Sequence, residues 1–173
     1  MSKPNKTVIV TGANIGLGYQ CARHLAMEGG WHIVLACRNH KTAYQAVKDL
    51  KNETSYGWFD VIPLDLSSLD SVRKCAEIFA NRNFPPLRAL VANAGLQLIN
   101  NTTKTQDGFE MTFGVNHLGH FLLAHLLLEH LKAPARIIFV NLWTGERSKQ
   151  KNEEKANRSE NNVFVFLQHR VAQ

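Results

Sequence analysis

Apolar residues along this chain fall into short continuous runs that alternate with longer segments of helical spacing. The first run, Thr7 to Val10, gives way to the turn Thr11-Gly12-Ala13-Asn14-Ile15-Gly16-Leu17-Gly18 and then to a helix-like stretch from Tyr19 to Met27. Glu28-Gly29-Gly30 closes that helix, and Trp31 to Cys37 is nearly all apolar. Such runs mark strands covered on both faces, as in a parallel sheet. From Lys41 to Lys51 the positions Ala43, Tyr44, Ala46, Val47 and Leu50 recur with helical spacing, and Trp58 to Leu64 predicts a third strand. Ser67 or Ser68 then supplies an N-cap for a helix that buries Leu69, Val72, Cys75, Ala76 and Phe79 and fades before Pro85-Pro86.

Leu87 to Ala92 predicts a fourth strand running into Asn93-Ala94-Gly95. A polar loop from Asn100 to Asp107 leads to a long helix, Phe109 to Leu131, and Ala135 to Leu142 predicts a fifth strand. Regular alternation of strand and helix argues for parallel strands joined by right-handed crossovers: a doubly wound, three-layer α/β sheet of Rossmann type, in the order 3-2-1-4-5. The pattern stops at Gly145. Residues Glu146 to Asn162 hold almost no apolar side chain, the composition of a solvated, flexible tail, so the division expected is a domain at 1–144 and a tail at 145–173. The closing patch Val163 to Leu167 either packs locally or adds a strand beside the fifth, whose open edge otherwise invites association into homo-oligomers.

Composition narrows the picture modestly. At 173 residues, 45% hydrophobic and 20% charged, the chain can bury a real core. The net charge of +6 suits an anionic ligand, but the basic residues are dispersed, and those of the tail are interleaved with Glu153, Glu154 and Glu160 without aromatic platforms, which argues against nucleic acid. Three scattered cysteines, Cys21, Cys37 and Cys75, read as reduced thiols, and Met1 to Lys6 has no apolar signal region, so a cytoplasmic protein is expected. The apolar stretch Phe121 to Leu131 is too short to span a bilayer and predicts a buried helix rather than a transmembrane segment. His117 and His120 have a spacing that places two imidazoles on one helical face, yet no carboxylate or cysteine joins them, so no metal is expected.

The glycine turn is where the pattern implies chemistry. Between a strand and a helix N-terminus, free backbone N–H groups and the positive end of the helix dipole converge, which suits a phosphate. Gly12 fits the tight turn, Gly16 a close approach of pyrophosphate, and Gly18 close packing of helix on strand. The spacing, Gly-x-x-x-Gly-x-Gly, departs from the usual dinucleotide fingerprint and taken alone fits a structural turn equally well. About 20 residues past the glycines a dinucleotide site carries an acid for a free ribose diol or an arginine for a 2′-phosphate. Arg38 stands there, with Cys37 before it and no acid beside it, which favours NADP over NAD if it is not merely a solvated strand-end arginine.

Four motifs in order resemble the short-chain dehydrogenase/reductase family from about Lys6 to Val140. They are Thr11-Gly12 through Gly16 and Gly18, Asp65 in Leu64-Asp65-Leu66, Asn93-Ala94-Gly95, and Val115-Asn116-His117. Within the family, Ala36-Cys37-Arg38-Asn39 and Asn116-His117-Leu118-Gly119-His120-Phe121 look most like the retinol dehydrogenase and protochlorophyllide reductase branch. The resemblance implies hydride transfer between NADP(H) and a small carbonyl or alcohol substrate. It implies cofactor contacts from Gly12, Asn14, Ile15, Gly16, Gly18, Arg38, Asp65, Leu66, Asn93, Ala94 and Gly95, and a catalytic role for Asn116. Asn93 and Asp65 also fit plain turn roles.

The resemblance further implies a catalytic Ser after the fifth strand and a downstream Tyr-x-x-x-Lys. The Ser position falls on Leu142, and all three tyrosines, Tyr19, Tyr44 and Tyr56, precede the fourth strand. The expectation is therefore a cofactor-binding half with impaired catalysis, a truncated, spliced or frame-shifted product, or else a non-catalytic dinucleotide-binding or interaction protein.

Overall fold

The computed structural model describes residues 3–98, 103–142 and 163–171. A six-stranded sheet runs β3-β2-β1-β4-β5-β6, built from β1 (Lys6–Thr11), β2 (Trp31–Cys37), β3 (Phe59–Pro63), β4 (Leu87–Ala92), β5 (Leu131–Leu142) and β6 (Val163–Val171). The first five strands are parallel in the predicted order 3-2-1-4-5, and β6 lies antiparallel to β5, with Ala135 opposite Val171 and Leu142 opposite Val163. The terminal apolar patch thus joins the sheet as a strand longer than the sequence pattern marks. The expected flexible segment 145–162 lies outside the described residues.

Alternation explains the continuous apolar runs. In β1, Ile9 points to one core and Val8 and Val10 to the other. The first core joins the sheet to α3 (Leu69–Ala80) and α5 (Gly119–Leu127) through Val72, Phe79, Leu123 and Leu127. The second joins it to α1 (Gly16–Glu28) and α2 (His40–Thr54) through Ala22, Ala26, Ala43 and Leu50. Burying a Val, Leu or Ile side chain contributes about 1.5–3 kcal/mol, so two covered faces hold the central strands firmly.

Three helix starts carry side-chain caps. Asn39 Oδ1 accepts from Thr42 N at 3.2 Å at α2, and Ser68 Oγ accepts from Ser71 N at 3.3 Å at α3. At the short α4 (Met111–Phe113) the Glu110 carboxylate accepts from Thr112 N and Phe113 N at 2.8 and 2.7 Å, which holds its carboxyl below the usual range. By contrast α1 begins on Ile15 without any side-chain cap, leaving donors of its first turn open towards the mouth of the sheet.

The long predicted helix needs correction. It begins at Met111 rather than Phe109, passes through a π-helical turn at Gly114–Leu118 between α4 and α5, and tightens at Leu128–His130 before Leu131 enters β5. Gly119, the residue that follows the π-helical turn, packs on the β3–α3 loop: a Cβ there would lie 2.7 Å from Leu66 O. The combined helical stretch Met111–His130 is 20 residues, long and apolar enough to cross a membrane by length and composition, where the shorter stretch from Phe121 is not. Its inward face, with Val115, Leu123, Ala124 and Leu127, belongs to the core.

Candidate cofactor cleft

At the carboxyl ends of β1, β2 and β4 a cleft of about 410 Å³ opens between the glycine turn, the end of β2 and the Asn93–Leu96 segment. Gly12, Asn14, Ile15, Arg38, Asp65, Leu66, Asn93, Ala94 and Gly95, all singled out from the sequence, line it. Leu17, Ala36, Cys37, Leu96, Val115 and Val140 complete the wall.

The glycines differ in what they do. Gly12 (φ +64°) and Gly16 (φ +61°) adopt the left-handed conformation that glycine favours. A Cβ on Gly12 would also come within 3.0 Å of Ala94 Cα, so the β1 turn and the β4 turn approach backbone to backbone. A Cβ on Gly16 would meet nothing within 4 Å, leaving an open cradle at the uncapped start of α1. Gly18 faces away from the opening: its Cβ would lie 2.5 Å from Asn93 Nδ2 and 2.7 Å from Gly12 O.

Thr11 ties the two turns together. Its Oγ1 accepts from the backbone N–H groups of Asn93 and Ala94, both at 2.8 Å, while Asn93 Nδ2 donates to Thr11 O at 2.9 Å. Asn93 is thus a clamp between strands as well as a residue of the wall. Asp65 also does two things: its Oδ1 accepts from Ser67 N at 2.9 Å and Ser67 Oγ at 2.7 Å, closing a turn, while the residue borders the cleft.

The second strand contributes charge and a thiol. Arg38 is exposed and makes no hydrogen bond or ion pair among the described residues, so its guanidinium is free to meet an anion. Asn14 Nδ2 donates to Thr42 Oγ1 at 3.3 Å, fixing the glycine turn against the start of α2 beside that arginine. Cys37 is buried; desolvation pushes its thiol up, and the backbone N–H groups of Ala13, Asn14 and Gly12 offset part of the rise. Cys37 was not expected at the cleft, although its place next to Arg38 was visible.

Asn116 stands behind the cleft rather than in its wall. Its Oδ1 accepts from Leu96 N at 2.9 Å and its Nδ2 donates to Leu96 O at 2.8 Å, so one carboxamide stands in for a strand partner along Leu96. His120, 2% exposed, lies with Nε2 2.9 Å from Thr11 Oγ1 and Nδ1 3.2 Å from Asn116 O. Burial pushes its pKa down to about 4; the Asn116 carbonyl opposes this and nearby His117 adds to it. The imidazole is neutral at ordinary pH. Both ring nitrogens of His120 are engaged by Thr11 and Asn116, and among the described residues no group of three or more His, Cys, Asp or Glu side chains could hold a metal ion.

A family model for the short chain dehydrogenases matches residues 6–152. The chain belongs to that family. Retinol dehydrogenase 13 of Homo sapiens is 48% identical over 139 residues, covering 80% of this chain and 41% of the relative. Protochlorophyllide reductase A of Oryza sativa subsp. japonica is 48% identical over 144 residues, covering 80% and 36%. The chain spans about two fifths of the length of these relatives. Among solved short-chain dehydrogenase-like structures, the Pseudomonas aeruginosa RhlG/NADP active-site complex superposes with a TM-score of 0.65 at 26% identity, covering 79% of this chain and 54% of that one. An alcohol dehydrogenase from Thermococcus sibiricus complexed with 5-hydroxy-NADP gives 0.61 at 27% identity, covering 72% and 52%.

Proposed function

We propose that this short-chain dehydrogenase chain binds NADP(H) in the cleft at the ends of β1, β2 and β4. One observation carries the reading: the uncapped start of α1, at Ile15, shares a cleft with an unpaired Arg38. Backbone N–H groups of the first turn of α1 would hold a pyrophosphate, and Arg38 would pair with a 2′-phosphate. Asp65 and Leu66 would border the adenine side, and Asn93, Ala94 and Gly95 the centre of the sheet. Naming of NADP in the two structural relatives supports the choice of cofactor.

NADPH bound in such a cleft supplies a hydride for a carbonyl carbon, or NADP accepts one from an alcohol. Ile15 and Leu17, 72% and 55% exposed at the mouth, give an apolar approach that would exclude water and suit an apolar substrate. Asn116 would keep the Leu96 wall in place through both ends of its carboxamide. It does not titrate near neutrality, so it cannot move the proton that a forming alcohol requires.

A second reading, binding without turnover, is favoured by the tyrosines. Tyr56 OH donates to Trp31 O, and Tyr19 OH donates to Glu53 Oε1 with its pKa raised to about 12 by burial and that carboxylate. Neither lines the cleft, and the resemblance to the family puts Leu142 where a serine is expected. Losing general acid–base help and an oxyanion donor would lower the rate by on the order of 10⁴-fold or more. NADPH titration followed by amide shift mapping tests binding: Gly12–Gly18, Arg38 and 93–95 should move together, and shifts confined elsewhere would refute the site. Oxidation of NADPH in the presence of aldehydes, ketones and retinoids then separates the two readings.

A further inference from the structure

We propose that His120 is a positioning residue for the cofactor cleft, acting as the acceptor that orients the Thr11 hydroxyl and so joins the β1–α1 turn, the β4 turn and the π-helical turn into one unit. The donors and acceptors around Thr11 Oγ1 fix the direction of each bond. A threonine hydroxyl has one hydrogen and two lone pairs. Both lone pairs of Thr11 Oγ1 are taken, by Asn93 N–H and Ala94 N–H at 2.8 Å each. The hydroxyl hydrogen must therefore go to its third neighbour, His120 Nε2 at 2.9 Å.

That assignment fixes the imidazole. Nε2 is the acceptor, so the ring proton sits on Nδ1 and donates to Asn116 O at 3.2 Å. A proton on Nε2 would set two donors face to face and push the hydroxyl off the Asn93–Ala94 turn. Protonation is disfavoured further by burial and by His117. The consequence reaches the cleft wall, because Asn93 and Ala94 line it and Asn116 holds Leu96, another wall residue. Thr11 and His120 are 109 positions apart, and the bond is buried, so water does not substitute for either partner.

Substitutions separate this role from simple space filling. Gln at 120 carries an acceptor near the Nε2 position and a shape close to imidazole, whereas Leu fills the space without accepting. Thr11→Ser keeps the hydroxyl and Thr11→Val removes it. Long-range nitrogen–proton correlation on the full chain at neutral pH should show Nε2 of His120 as pyridine-like and Nδ1 as protonated, and Thr11→Val should shift the Nε2 resonance. NADPH affinity should fall about tenfold in His120→Leu and in Thr11→Val, as for a buried polar group left without its partner. It should stay within about threefold in His120→Gln and Thr11→Ser. The double variant Thr11→Val/His120→Leu should lose little more than Thr11→Val alone, since that change already cuts the link to His120 together with the two N–H bonds.

A protonated Nε2 in the parent chain would overturn the proposal, as would parent-like NADPH affinity in His120→Leu or additive losses in the double variant. The affinity arm rests on the NADP(H) reading; the nitrogen resonances do not. A chain that fails to bind NADPH but shows the Nδ1-protonated ring would refute the cofactor and leave the His120 link standing. Should His120→Leu fail to fold, the Thr11 pair and the nitrogen shifts decide.

Discussion

A methyl group added at Gly18 should damage the fold more than one added at Gly16, although both glycines belong to the same turn. The Cβ of Gly18→Ala would lie 2.5 Å from Asn93 Nδ2, 2.7 Å from Gly12 O and 3.0 Å from Ala13 Cα. Two of these neighbours are backbone and cannot rotate away. Overpacking of this kind costs about 1–3 kcal/mol. Displacing Asn93 also breaks its 2.9 Å bond to Thr11 O, a further loss of about 1 kcal/mol. In a chain of this size each kcal/mol lowers Tm by about 2–4 °C, so a fall on the order of 10 °C is expected. Gly16→Ala meets no atom within 4 Å and bears only the left-handed backbone conformation. That costs about 1 kcal/mol, hence a fall of about 3 °C. Circular dichroism melts of both variants measure the difference. A Gly18→Ala melt within about 2 °C of the parent, or a larger loss at Gly16, would refute the packing argument.

Acid should unfold the protein partly through His120. Its folded pKa of about 4 lies below the ordinary value near 6.5, so the stability of the neutral ring is whole above about pH 6.5 and is lost as pH falls towards 4. The loss is on the order of 3 kcal/mol, and urea midpoints at pH 7 and 4.5 should converge in His120→Gln relative to the parent. Asn116→Ala removes both bonds along Leu96 and should cost about 1–3 kcal/mol while raising amide exchange at Leu96; unchanged exchange there would contradict its clamp role. Purified chain should oxidise NADPH with aldehydes or ketones on the order of 10⁴-fold more slowly than a complete short-chain dehydrogenase, and turnover within tenfold would point to a substitute acid.

The parallel sheet was legible because each inner strand is apolar on both faces, which β1 achieves with Val8 and Val10 on one side and Ile9 on the other. Boundaries were less so. The start of α1 lies at Gly16, not Tyr19, because glycines at 16 and 18 hide a first turn whose geometry depends on close packing against Asn93. The π-helical turn at Gly114–Leu118 leaves no mark in an apolar run. Strand β5 starts four residues earlier than the pattern suggests, where Leu131 pairs with Leu87.

Residues of contiguous motifs gather along one cleft, and others reach it only through tertiary packing. Leu96, Val115 and Val140 carry no polar group that would single them out, and only the fold brings them to the cleft. Gly18 packs on Asn93 and Gly12, and Asn116 is bound to Leu96; neither is among the residues that line the cleft. The Thr11–His120 bond had no sequence signal, because its partners are distant and each belongs to a motif explained without the other.

Calorimetric titration of the full chain with NADPH and NADH, alongside Arg38→Ala, tests the central claim most directly. Arg38 lines the cleft with no competing ion pair among the described residues, so a charge-assisted bond to a 2′-phosphate should be worth about 1.5–3 kcal/mol. NADPH should therefore bind about 10–150-fold more tightly than NADH, and Arg38→Ala should erase most of that difference while leaving NADH affinity unchanged. Equal affinity for the two dinucleotides, or a preference for NADPH that survives Arg38→Ala, would contradict the account.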